Sequence, residues 1–172
     1  MNLGYACINT ALSSNGIMTN RTMRRKTFDA KGIDYVSDLS LLNVKDLKTI
    51  IQWNNEMGIK LFRLSSQIFP WSDEYNIKDL KDYNEICDLM LEIGNIAKDA
   101  GQRLTMHPGP YNCLASPTKK VVEKTIRELN FHSSQFDMMG YEPSPYNKIN
   151  IHVGGAYNDK ESTLIRFCDN FE

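Results

Sequence analysis

Long apolar runs are absent from this chain: no stretch approaches the ~18 consecutive apolar residues that a membrane span requires. The opening segment Met1-Asn2-Leu3-Gly4-Tyr5 carries no basic cluster followed by an apolar block, so it does not read as a secretory leader. Net charge is nearly absent too, at −1. Global electrostatics therefore give no support to a nucleic-acid partner, and any such binding has to come from a local patch. Cysteine is sparse. Cys7, Cys87, Cys113 and Cys168 form no CxxC pair and no framework spacing, which points to reduced thiols in a cytosolic protein. No Walker sequence, zinc-knuckle spacing, HExxH or GxSxG occurs.

What remains is a single domain's worth of ordinary globular sequence. Its 172 residues are 41% hydrophobic and 24% charged, enough for one core and too little to argue for two. Residues 1–172 are therefore read as one domain. A rhythm of short strand and amphipathic helix recurs four times. The first strand covers Leu3 to Ile8, a long polar stretch follows from Thr10 to Asp38, and Asn43 is expected to cap the first helix, with Leu47, Ile50, Ile51 and Met57 on one face and Gly58 at its end. Lys60 to Ser66 form the second strand, followed by a helix with Ile86, Met90, Ile93, Ala97 and Ala100, stopped at Gly101. The third strand is Gln102 to His107. Its helix is expected to open at Ser116-Pro117, with Val122, Ile126 and Leu129 inward. The fourth strand, Lys148 to Val153, leads into a helix with Leu164, Phe167, Cys168 and Phe171.

Alternating strands and helices give a parallel sheet, either open and doubly wound or closed as a barrel. Period-two alternation puts Phe62, Leu64, Leu104, Met106, Ile149 and Ile151 on one face. Arg63, Ser65, Thr105, His107, Asn150 and His152 fall on the other. A sheet covered by helices on both sides should be apolar on both faces. One polar face fits a barrel interior better: an α/β protein of the (β/α)8 TIM-barrel type, here as about four βα units, a half barrel.

Active sites of such barrels lie at the C-terminal strand ends. His107 and His152 end the third and fourth strands and could share metal through imidazole nitrogen, or could each be a hydrogen-bonded core histidine. His132, in a helical stretch without polar company, reads as structural or solvated. His107-Pro108-Gly109-Pro110-Tyr111 cannot be helical and would hold Tyr111 on a rigid rim, where a ring can stack on a nucleobase; packing on its own loop is the alternative. Arg21, Arg24, Arg25 and Lys26 could contact phosphates or form a solvated face. Asp73 and Glu74 follow the second strand, and Gly154-Gly155 would admit a ligand or make a turn.

These segments resemble the UV damage endonuclease family along nearly the whole chain. Leu3-Gly4-Tyr5 with Asn9 is similar to the family's first strand, and Thr19-Asn20-Arg21-Thr22-Met23-Arg24 to its TNRT-x-R motif. Phe62-Arg63-Leu64-Ser65-Ser66 with Phe69-Pro70 resembles the second-strand motif, and Arg103-Leu104-Thr105-Met106-His107-Pro108-Gly109 the RLTMHPGQ segment. Ser116-Pro117, Val121-Val122-Glu123 and Ile151-His152-Val153-Gly154-Gly155-Ala156-Tyr157 with Asp159-Lys160 follow in order. The resemblance implies a barrel nuclease with a cluster of divalent metals, typically manganese. Such an enzyme cuts damaged double-stranded DNA immediately 5′ to pyrimidine dimers, photoproducts or abasic sites. It implies His107 and His152 as metal ligands, Tyr5, Tyr111 and Pro110 beside the lesion, Arg21 and Arg24 on DNA, and Asn9 and Glu74 as active-site groups. The family's usual Gln is Pro110 here, and its usual second-strand His is Glu74. The remaining ligands would come from later strands, so the 172-residue chain is expected to be inactive alone and to self-associate or pair with a missing C-terminal half. Other readings are a related metal barrel (an abasic-site endonuclease, or a sugar isomerase or epimerase) and a non-catalytic half-barrel remnant.

Overall fold

The computed structural model describes residues 2–171. Three short parallel strands, β1 (Gly4–Ala6), β2 (Leu61–Leu64) and β3 (Arg103–Met106), lie side by side in that order. The register aligns Tyr5 with Phe62 and Phe62 with Leu104. On the face these residues share, Phe62, Leu64, Leu104 and Met106 are fully buried. They pack beneath helices α2 (Arg25–Glu56) and α3 (Tyr83–Asp99), with Val36, Leu47, Ile50, Ile86, Met90 and Ile93 in the same core. On the opposite face Ala6 and Arg63 are exposed. The expected asymmetry between one apolar and one polar face is therefore present in β1 to β3.

The first helix departs from expectation. A short helix α1 (Thr10–Ser13) follows β1, and α2 then starts at Arg25. Asn43 lies buried in its middle and caps nothing. The apolar period was masked because Ser37, Ser40 and Asn43 take inward positions, where each is buried. Gly32, at φ 66° and ψ −162°, breaks the helical path within α2, a conformation that residues with a Cβ rarely adopt.

The second and third helices follow the sequence pattern more closely. α3 ends before Gly101 as expected. α4 (Lys119–Met138) begins three residues after Ser116, whose hydroxyl accepts the Thr118 N–H at 3.1 Å and so forms the turn before the helix. Val122 points inward, but Ile126 is exposed and Leu129 is only half-buried. The buried stripe instead runs through Thr125, His132, Gln135 and Phe136. Backbone of α3 and α4 meets closely at Gly94, where a Cβ would come within 1.9 Å of the Met139 carbonyl oxygen.

The expected fourth strand is reduced to one parallel bridge, Met106 to Ile149. Met106 N–H donates to Lys148 O at 3.0 Å, and Asn150 N–H to Met106 O at 2.8 Å. With a neighbour on one side only, residues 151–156 make no further ladder. Helix α5 (Lys160–Phe171) follows and is tied back by Arg166 Nε to Ala115 O and Asn170 Nδ2 to Leu114 O. No helix among the described residues is long and apolar enough to cross a membrane.

Candidate functional site

The chain leaves β3 at Met106 and the bridged segment at Asn150, so the next inward residue on each path is a histidine. Alternation along an extended backbone turns His107 and His152 away from the helix layer. His107 Nδ1 lies 2.5 Å from the Asn150 carbonyl oxygen, which can only accept. Nδ1 therefore carries the proton, and the Nε2 lone pair faces outward. It points at His152, whose Nε2 is 3.0 Å away, with ring centroids 4.7 Å apart and planes inclined at 78°. Two ligands at right angles on one cation, each at about 2.1 Å, would sit roughly 3 Å apart. The donor pair thus has the spacing a shared cation needs. A direct N–H to N hydrogen bond between the rings has the same spacing.

No third acidic, histidine or cysteine side chain joins this pair: among the described residues there is no group of three or more such side chains arranged to hold a metal. Glu74 is committed elsewhere. Its Oε1 accepts from Arg25 Nη1 at 2.7 Å, while Arg25 Nε pairs with Asp29 at 2.8 Å and the guanidinium lies over the Phe28 and Trp71 rings. Both carboxylates push Arg25 further up from its ordinary value, the Glu74 bond most.

Tyr111 projects from the rim, 90% exposed, with Pro110 exposed beside it. Next to it opens a groove of ≈ 370 Å³, bordered by Thr22, Gln67, Trp71, Asp73, Asn112 and Lys124. Tyr5 is elsewhere. Its ring packs on Phe62, 5.0 Å between centroids, and its hydroxyl donates to Asn54 Oδ1 at 2.6 Å on α2. Burial raises its pKa, partly offset by Asn9 and Asn54. Asn9 is buried, donates to Tyr5 Oη at 2.8 Å, and caps α1 by accepting from Ala11 and Leu12 at 3.1 Å each. The structure therefore brings Tyr5 and Asn9 together in a scaffold against α2, and Tyr111 into solvent.

Arg21 is likewise held by the fold. Its guanidinium pairs with Asp46 at 2.6 Å and donates to Met18 O and Gly16 O. Arg24 is exposed at the start of α2, where its backbone marks the cap.

The sequence reading missed the polar stripe of α4. His132 is fully buried, the structural alternative of the two, and it does have polar companions: Gln135 Nε2 at 3.1 Å from Nδ1, and Glu128 Oε1 at 3.5 Å from Nε2. Glu128 and His132 are four residues apart, and Gln135 three further on, so the helical spacing was visible in the sequence.

Comparison with known proteins identifies the family. The sequence matches the family described as UV-endonuclease UvdE over residues 1–172. A protein of Acanthamoeba polyphaga mimivirus, provisionally named a UV-damage endonuclease, is 41% identical over 98% of this chain and 52% of its own length. The UV-damage endonuclease of Schizosaccharomyces pombe is 36% identical over 99% of this chain and 29% of its length. The UV DNA damage endonuclease of Clostridium perfringens is 32% identical over all of this chain and 40% of its length. The crystal structure of SacUVDE superposes with a TM-score of 0.86 at 32% identity, covering 99% of this chain and 55% of that one. The chain thus spans about half or less of the length of these relatives. It belongs to the UV-endonuclease UvdE family.

Proposed function

We propose that this chain supplies the first four βα units of a (β/α)8-barrel endonuclease that nicks double-stranded DNA 5′ to UV photoproducts or abasic lesions. The observation that carries this reading is the convergence of His107 Nε2 and His152 Nε2, 3.0 Å apart, on the polar side of a parallel sheet. His107 and His152 are the two donors this chain would offer to a divalent cation, manganese by the family's habit. When bound, such a cation supplies an activated water and positive charge against the phosphate. The carbonyl of Asn150 holds His107 in the tautomer that leaves Nε2 free to bind. Tyr111, on its proline- and glycine-bounded loop, offers an aromatic face to a base at the lesion. Arg24, exposed at the start of α2, offers a phosphate contact that salt would weaken.

Support for the barrel comes from the all-parallel order, the single helix-covered face and the superposition on SacUVDE. The outer edge of β1 and that of the Ile149 segment are unpaired among the described residues. Such edges accept further strands.

The test is a manganese titration followed by calorimetry, on the chain and on H107A and H152A. Each substitution should weaken binding at least about tenfold, because a lone imidazole is a poor cation site. Equal affinity in all three proteins would overturn the assignment. Nicking of UV-irradiated plasmid is expected from a protein of the relatives' full length, abolished by either substitution, and not from the 172-residue chain alone.

A further inference from the structure

Glu128 lies on α4 and reaches back to the loop after His107. Its Oε1 accepts the Gly109 N–H at 3.4 Å, and Asn112 Nδ2 donates to Gly109 O at 3.0 Å. One turn earlier, Thr125 Oγ1 accepts the Cys113 N–H at 3.0 Å while donating to Val121 O at 2.9 Å. Residues 125, 128, 132 and 135 fall on one stripe of the helix. Behind Glu128, His132 is fully buried, and its Nε2 has no hydrogen-bond partner among the described residues; the Glu128 carboxylate is the group it faces. Gln135 holds the other ring nitrogen. Burial pushes the Glu128 carboxyl up, but His132, Asn112 and the Gly109 amide together more than offset that and leave it below its ordinary value.

A helix that only packed against the sheet would fill such a stripe with apolar side chains, because burying polar groups is unfavourable unless they are hydrogen-bonded. Here the stripe is polar, and two of its members, Thr125 and Glu128, bond the backbone of residues 113 and 109, on either side of Tyr111. Tyr111 itself makes almost no packing contacts, being 90% exposed. The direction of its ring is therefore set by the loop backbone, and the loop backbone by α4.

We propose that Glu128 is a positioning residue: its carboxylate, backed by His132, clamps the Gly109 amide and so fixes the aim of Tyr111 and the exit path of His107. The proposal rests on reading this rim as the lesion-contacting surface. It differs from a merely structural role, which would weaken binding to all DNA alike.

The experiment uses the full chain as wild type, E128A, E128Q, Y111A and the E128A/Y111A double variant. Two quantities are read: hydrogen exchange at the Gly109 amide, and the ratio of affinities for a duplex with a single abasic-site analogue and for the undamaged duplex. E128A should speed Gly109 exchange about tenfold while amides in α3 keep their rates. It should also lower the lesion preference about tenfold, and the double variant should prefer lesions no less than Y111A alone, since both changes act through one ring. E128Q, whose amide oxygen still accepts the Gly109 N–H, should recover most of both losses. If E128A fails to fold, E128D, which retracts the carboxylate by one methylene, should show the same changes in milder form. Unchanged exchange at Gly109 overturns the proposal, as do additive losses in the double variant or an E128Q as impaired as E128A. A wild type with no lesion preference would sink the functional reading instead, and the exchange measurement would still decide whether Glu128 holds the loop.

Discussion

Replacing Asn43 by alanine would cut the tie between three segments that meet beneath the rim. Its Nδ2 donates to Arg21 O and Ile68 O at 3.0 Å each, and its Oδ1 accepts the Arg21 N–H at 3.1 Å. Asn43 is fully buried, so water cannot replace what alanine removes. Three bonds at about 1 kcal/mol net each, plus the desolvation of orphaned carbonyls, give a loss of roughly 3–5 kcal/mol. In a chain of this size that corresponds to a fall in Tm of roughly 6–20 °C. N43D should be no better than N43A, because a carboxylate would face the Ile68 and Arg21 carbonyls with two acceptors and no donor. Urea unfolding followed by circular dichroism measures the change, with the midpoint moving at constant slope. A loss under about 1 kcal/mol, or an aspartate variant as stable as the parent, would refute the argument that donation to these carbonyls joins α2 to the loops on either side.

G94A should destabilise by about 2–4 kcal/mol, since the added Cβ meets backbone rather than a movable side chain; thermal melts that match the parent would show that α3 and α4 can separate at no cost. Y111A should leave stability within about 0.5 kcal/mol, yet weaken binding to lesion-bearing duplex by about 1–3 kcal/mol, read by fluorescence anisotropy against undamaged DNA. The Glu128 carboxyl is held below its ordinary 4.5. Its contribution is therefore present above that value and lost as pH falls through the lower folded one. The stability gap between the parent and E128Q should accordingly hold constant from neutral pH down to about 5 and narrow below 4.5. A gap that widens in acid would reverse the sign of the argument.

Much of this was legible in the residues themselves. Strand alternation at Phe62-Arg63-Leu64 and Leu104-Thr105-Met106 fixes which side chains meet the helices, because an extended backbone leaves no other choice. Helix α3 shows its apolar period and its stop signal openly. The meeting of His107 with His152 follows from their lying one and three residues past the paired positions Met106 and Ile149, odd offsets that put both on the same face.

Other features depended on partners far away in sequence. Arg21, read as a phosphate contact, is drawn to Asp46 across 25 residues. Glu74, read as a replacement ligand, is drawn to Arg25, and Tyr5 turns its hydroxyl to Asn54 on α2. The start of α2 was hidden because its buried face carries serines and an asparagine whose bonding partners come from other segments. The chain's pattern of apolar and polar positions determined which residues form strands and helices and which face each turns. Only the folded structure decided which charges and amides are consumed by one another, which side chains it leaves exposed, like Tyr111, and which imidazoles it brings together. Periodicity is a local property of the backbone, whereas the pairing of polar groups depends on what the rest of the fold brings within about 3 Å.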